Sequence, residues 1–396
     1  MATCRPAECA GILRPVMTGT LHVAIGAGGT GGHIYPGLAV AKALEEITGG
    51  AVDICFITTK RGLQTTLVPN AGYELFMFDM IGLTGLGSAL RLPPQLVRAG
   101  RGAARVIRDR GIDVVVGMGG YPSAPAMVGA RLAKVPSLIH ESNAVPGRAN
   151  AFIARLTPNI AIAFERTRKH LPKRADVRTV GMPLLPEVAR IDRAAMREPA
   201  RQSFGLAPGQ KLVVVSGGSL GAHSLTTAAL DLADQWKERD DVVLLIKTGA
   251  GQLDDAIART NGNPVARPVA YIDRMDHAYA AADVMVCRCG AGTVSEVSHV
   301  GVASVMVPYP HAPGNHQLHN AQALADAGGA VIIEDDVLDA ASLGPVLDDL
   351  LADDERREGM ARNSRLVDHG AAATTVARWA IELAGRTDLL VEKGDP

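Results

Sequence analysis

The sequence predicts an α/β protein built from two Rossmann-like domains whose parallel sheets face each other across a cleft. Three observations carry this. Short β-branched runs alternate with longer helical patterns along the whole chain, the signature of strand–helix–strand units in parallel sheets. The length of 396 residues exceeds one ordinary domain and suits two. Finally, "LHVAIGAGGTGGH" and "KLVVVSGGSLGAH" are each a strand, a glycine-rich turn and a helix start, with loops beginning at Gly26 and Ser216.

Taken in order, strands of a first domain are expected at 21–25, 52–58, 113–118 and 136–140, and of a second at 211–218, 241–249, 284–288 and 303–309. The segment 176–188, with Gly181, Pro183 and Pro186, reads as a linker. The domains are drawn at 21–180 and 181–370. Residues 1–20 are an extension expected to be disordered, and 371–396 carry a helix expected to pack back on the first domain. Met17 immediately precedes the first credible strand, so translation from either methionine fits the pattern.

Composition narrows the function classes. A net charge of −1 argues against bulk nucleic-acid binding. Five irregularly spaced cysteines do not make a disulfide framework and suggest a reducing compartment. No signal-peptide core or apolar run of membrane-spanning length is present, so the chain is expected on the cytoplasmic side, at most on a membrane surface.

Four glycine-rich turns follow predicted strands, at 26–32, 117–120, 216–221 and 289–292. Such turns let a ligand lie against the backbone, and a helix that follows directs its free amides at an anion. The first, "GAGGTGG", lacks the G-x-G-x-x-G order and the acidic residue about twenty positions on that a dinucleotide site needs. No loop is followed by GK[ST], and D-x-D is absent; a P-loop and a carboxylate-held Mg²⁺ site are therefore not expected. His33 ends the first loop, and an imidazole there suits a general base at neutral pH. Glu296, in "GTVSE", is either a helix-dipole partner or a carboxylate for two ribose hydroxyls. "HESNAVPG" (140–147) and "HAPGNHQLHNA" (311–321) are too polar for plain connectors.

The stretch 81–110 holds six arginines (Arg91, Arg98, Arg101, Arg105, Arg108, Arg110) against Asp109, with leucines, Val97 and Ile107 between them. It reads either as an amphipathic helix with a solvated basic face or as a surface for anionic lipid.

Together "GGTGGHIYPGLAVA", "GMGGYPSAP", "HESNAVPG", "GGSLGA", "YIDRM", "GAGTVSE" and "HQLHNA" resemble, in order, the MurG family of bacterial peptidoglycan N-acetylglucosaminyltransferases, in glycosyltransferase family 28. The resemblance runs from about residue 22 to 321 and extends to the helical tail. It implies a GT-B fold and inverting, metal-independent and cofactor-free transfer of GlcNAc from UDP-GlcNAc to lipid I, the undecaprenyl-linked muramyl-pentapeptide, giving lipid II. By motif, Ser219 contacts the nucleotide sugar, Ile272 the uracil, Glu296 the ribose and Gln317 the sugar, while Ala291, Gly292, Thr293, Val294 and Ser295 run along the donor. Thr30, Gly31, Gly32, His33 and Asn143 approach the donor sugar and acceptor from the N-terminal domain. Gly119, Tyr121, Arg91, Arg98, Arg101 and Arg105 form the acceptor and membrane side. The implied setting is the cytoplasmic face of the inner membrane, as a peripheral protein on anionic lipid, with cell-wall or division proteins as partners and no nucleic acid.

Two positions depart from the family pattern. Leu185, in "GMPLL", stands where an arginine contacts the donor diphosphate, and Leu220 replaces a frequent glutamine. A lost charge-assisted contact costs about 1.5–3 kcal/mol, and His223 is the candidate to compensate. The rival readings are a related transferase with another acceptor, a sugar-nucleotide epimerase on the same plan, and a weakly catalytic nucleotide-sugar scaffold.

Overall fold

The computed structural model describes residues 19–80, 86–218 and 221–390; the side chains of 86–93 and of position 148 lie outside the description. Its strands, in chain order, are β1 (Leu21–Gly26), β2 (Val52–Thr59), β3 (Glu74–Phe78), β4 (Val114–Gly117), β5 (Ser137–Glu141), β6 (Asn159–Ile162), β7 (Asp176–Thr179), β8 (Lys211–Ser216), β9 (Val242–Lys247), β10 (Ala266–Val269), β11 (Val284–Cys287), β12 (Ala303–Met306) and β13 (Ala330–Ile332). They form a seven-stranded sheet, β3-β2-β1-β4-β5-β6-β7, and a six-stranded sheet, β10-β9-β8-β11-β12-β13. The central ladders β1–β2, β1–β4, β8–β9 and β8–β11 are parallel, so both sheets have the predicted α/β character.

The eight expected strands are present. Their valine-rich runs are buried almost throughout, because helices cover both faces of a parallel sheet and leave no solvent side for polar residues. Five further strands were not legible. β10 reads "ARPV" and lies at a sheet edge, where Pro268 need not donate to a ladder. β7 and all but the last residue of the helix Pro186–Ala189 fall inside the segment read as a linker; β7 alternates exposed and half-buried residues, as its edge position allows.

The chain divides into two compact units that interleave along the sequence. One comprises the residues up to Ile139 with Phe152–Asn159 and the segment from Thr374; the other comprises His140–Ala151 and Ile160–Ala373. The helix Ala372–Leu383 therefore contributes most of its length to the first unit, with Val376, Trp379 and Ile381 buried. In the second unit two apolar clusters lie against the sheet: Val213, Val215, Leu244 and Ile246 with helix residues Leu225 and Leu347, and Val214, Met285 and Met306 with Tyr279 and Val297.

Candidate functional site

In the first unit the backbone amide of Met118 donates to Gly26 O (2.8 Å), joining the loops that leave β1 and β4. Thr30 is the extended N-cap (φ −108°, ψ 165°) of the helix Gly31–Ile47, so the amides of Gly31 and Gly32 have no partner one turn back. His33 follows them, half-buried. A Cβ on Gly120 would lie 2.8 Å from the His33 ring carbon Cδ2 and nitrogen Nε2, and Gly120 has φ +72°. The imidazole thus rests against bare backbone where a side chain would displace it. Gly119, before Gly120 in the chain, is buried, and Tyr121, after it, is half-buried. Sequence reasoning missed Gln64: fully buried, it accepts from Gly29 N (2.9 Å) and donates to Thr59 O and Arg61 O (2.8 Å each), tying the loop to the end of β2.

The basic segment forms the helix Leu86–Asp109. Ala99, Ala103, Ala104 and Ile107 are buried, whereas Arg98, Arg101, Arg105 and Arg108 are exposed, a spacing of three and four that lines one helix face. Gly100 permits the close approach on the inner face: a Cβ there would lie 2.3 Å from Val128 Cγ1. Arg110 is not part of the stripe; it pairs with Asp53 (3.0 Å) and Glu74 (2.7 Å). The side chain of Arg91 lies outside the described residues.

In the second unit the polar segments singled out in the sequence come together around Asn320, which is 0% exposed. Its Oδ1 accepts from Ala144 N (2.8 Å), and its Nδ2 donates to Asn143 Oδ1 (3.2 Å) and Cys289 O (3.1 Å). Asn143 is further held by Glu141, whose Oε1 accepts from the Asn143 amide (2.8 Å) and Nδ2 (3.2 Å) while Oε2 accepts from Asn150 (2.7 Å). Burial pushes the Glu141 carboxyl up and these hydrogen bonds pull it back. Gln317 Oε1 accepts from Cys289 N (3.1 Å) and Tyr309 N (3.0 Å), which leaves its Nε2 as the donor end. Glu141 and Asn320 were legible only as polar residues in polar loops; their joint role needs contacts across well over a hundred residues.

The helix Ala291–Val300 follows β11 with Gly290 as its N-cap. A Cβ on Gly290 or Gly292 would meet nothing within 4 Å, so the free amides of its first turn border open space. Ile272 and Val294 are buried in the apolar core, whereas Thr293, Ser295 and Glu296 are half-buried. Glu296 Oε2 accepts from the hydroxyl of the buried Tyr279 (2.6 Å). Desolvation pushes the Glu296 carboxyl up, and the Tyr279 hydrogen bond and the Lys247 charge draw it down. Lys247, 7% exposed, has its Nζ 4.5 Å from the centre of the Tyr271 ring, and burial lowers its own pKa. Tyr279 and Lys247 carried no sequence signal: one sits in an ordinary helix pattern and the other ends an apolar strand.

Arg288, also unread in the sequence, is buried and bonds Asp335 (2.7 Å), Ser224 Oγ (2.9 Å) and Pro308 O (3.2 Å), bracing the turns behind these loops. Leu185 is the half-buried N-cap of the helix Pro186–Ala189. His223 is exposed with Nδ1 3.3 Å from Gln252 Oε1. Ser219 and Leu220 lie outside the described residues.

Comparison with known proteins places this geometry. Residues 23–162 match the glycosyltransferase family 28 N-terminal domain and residues 212–376 its C-terminal domain. A UDP-N-acetylglucosamine–N-acetylmuramyl-(pentapeptide) pyrophosphoryl-undecaprenol N-acetylglucosamine transferase from Rhodococcus jostii is 38% identical over 376 residues, 93% of this chain and 97% of the relative. A protein of the same name from Leifsonia xyli subsp. xyli is 41% identical over 342 residues, 86% of this chain and 92% of the relative. The crystal structure of Acinetobacter baumannii MurG superposes with a TM-score of 0.74 at 29% identity, covering 91% of this chain and 99% of that one. With both domains matched and these relatives aligned over nearly their whole length, the chain belongs to glycosyltransferase family 28.

Proposed function

We propose that this chain transfers N-acetylglucosamine, with inversion, from UDP-N-acetylglucosamine to lipid I, the undecaprenyl-diphosphate-linked muramyl-pentapeptide, forming lipid II for peptidoglycan. The observation that carries the reading is the 38% identity over 93% of the chain to a relative named for this transfer. The acceptor oxygen bonds to the anomeric carbon as the bond from that carbon to the diphosphate oxygen breaks, and UDP departs. The hydroxyl proton passes to the His33 imidazole, the one group in the first loop able to take it near neutral pH.

The second unit holds the donor. The Glu296 carboxylate accepts from the ribose hydroxyls, and the amides opening the helix Ala291–Val300 receive the charge that grows on the leaving diphosphate. Gln317 Nε2 donates to the sugar; Thr30, Gly31, Gly32, Asn143, Ser219, Ile272 and the 291–295 turn complete the donor contacts, and Gly119 and Tyr121 serve the acceptor. The exposed Arg98, Arg101 and Arg105 stripe rests on anionic lipid at the cytoplasmic face of the membrane, where cell-wall and division proteins are its neighbours. No described helix is long and apolar enough to cross a membrane, which fits peripheral attachment.

The test is the purified protein with UDP-GlcNAc and a soluble lipid I analogue, following UDP release and the disaccharide product together. Stoichiometric UDP and product are expected. UDP-GlcNAc bound with no product overturns the transfer in favour of a scaffold, and 2-epimerised nucleotide sugar overturns it in favour of an epimerase.

A further inference from the structure

The second unit carries a cationic cavity that the transfer reaction does not use. It has a volume of about 320 Å³, and its lining includes Arg193, Arg197, Lys211, Arg357 and Arg365. Lys211 is the first residue of β8, Asp283 immediately precedes β11, and Ala303 opens β12. The cavity therefore lies at the N-terminal ends of the strands. The glycine-rich loops and Glu296 follow their C-terminal ends, about 20 Å away along a six-residue strand.

Five cationic residues here face three acidic ones, Asp283, Asp354 and Glu358, and the acids do not balance them. Asp283 is committed to Arg197 (2.7 Å) and the Leu212 amide (2.8 Å). Glu358 lies 3.8 Å from Arg362, outside the lining. Among the described residues Arg193 and Arg365 make no ion pair. Arg193 donates to Gly301 O (2.9 Å) and Ala282 O (2.6 Å), and Arg365 to Val300 O (2.8 Å). Neutral carbonyls fix these guanidiniums in place without cancelling their charge. Arg193 and Arg197 are also one helical turn apart, a like-charge spacing that weakens a helix. Burial and the charges of Arg197, Arg365 and Arg357 bring the Arg193 pKa down to about 10, a sign of crowded positive charge.

Two exposed acids line the cavity, Asp354 and Glu358, and of these Asp354 is the one paired with its cations. The Asp354 side chain is 71% exposed and bridges Lys211 Nζ (2.8 Å) and Arg357. An external anion reaching these two cations would have to displace it. We infer that this cavity is a second ligand site, for an anion of phosphate chemistry that displaces Asp354 from Lys211 and Arg357. Guanidinium and ammonium donors converging on one concave surface suit a phosphate's several oxygens. A soluble phosphate or diphosphate and the phosphodiester of an anionic lipid headgroup share this chemistry.

Calorimetric titration of the full chain with inorganic diphosphate, and separately with monomeric dihexanoyl phosphatidylglycerol, tests the assignment. Lys211→Gln is expected to weaken binding about tenfold, one charge-assisted contact. Asp354→Asn is expected to tighten it, a gain that misfolding cannot mimic, and both variants keep the parent KM for UDP-GlcNAc. Tighter diphosphate binding identifies a soluble phosphate as the ligand, and tighter phosphatidylglycerol binding identifies a headgroup. Binding of neither probe, or binding indifferent to both substitutions, overturns the site.

Discussion

The hydroxyl of Tyr279 donates to Glu296 Oε2 at 2.6 Å inside the second unit, with the ammonium of Lys247 close enough to favour the carboxylate. In the proposed ribose site, Tyr279 and Lys247 act through Glu296, as positioning residues. Tyr279→Phe removes a hydrogen bond to a charged group, and is expected to raise the KM for UDP-GlcNAc about tenfold with kcat little changed. A merely structural loss would lower the active fraction and leave KM alone.

The same pair sets a pH dependence. Desolvation holds the Glu296 carboxyl above its ordinary value, so the proposed ribose contact needs a pH above that raised pKa and is expected to fail as pH falls through it. Lys247→Met removes one of the influences drawing the pKa down. The acid limb of kcat/KM is expected to move to higher pH in this variant; an unmoved limb would separate Lys247 from Glu296.

His33→Ala is expected to lower kcat about 10²–10⁴-fold, the range for losing a general base. UDP affinity, measured by calorimetry, stays at the parent value. Unchanged turnover would take His33 out of the chemistry.

Gly120→Ala tests the support for that imidazole. The new Cβ would sit 2.8 Å from the ring on a backbone at φ +72°, ψ 164°, a region essentially reserved for glycine that costs an L-residue about 1–3 kcal/mol. Turnover is expected to fall with UDP binding intact, since the proposed UDP contacts lie in the other unit. Equal loss of both would place Gly120 in general folding instead.

Asn320→Ala leaves the Ala144 amide, the Asn143 Oδ1 and the Cys289 carbonyl without their buried partner. The expected destabilisation is about 3 kcal/mol, read as a lowered denaturant midpoint, with weaker UDP-GlcNAc binding because the 140–144 and 289–292 loops lose their common tie.

Central strands and glycine turns were legible because their signals are local. The runs "LVVV" in β8 and "VVV" in β4 are unbroken by polar residues for the reason that both faces of a central parallel strand are covered. β10 and β7 were not, since edge strands tolerate proline and polar alternation and so look like loops. Within the candidate site, Glu296 and His33 stood out through residue type beside a glycine-rich turn, and Gln317 as an amide in the polar 311–321 segment. Tyr279, Lys247, Gln64 and Arg288 did not, because each looks ordinary among its sequence neighbours.

The sequence by itself determined the α/β class, the paired glycine-rich turns and the family motifs, all of which rest on short-range patterns of size, polarity and backbone freedom. Tertiary structure alone decided that Asn320 locks the 140–144 and 289–292 loops together, that Tyr279 and Lys247 tune Glu296, and that five cations from two helices and a strand line one cavity. Those outcomes depend on burial and on electrostatic contact between residues distant in the chain, where solvent no longer screens one group from the next.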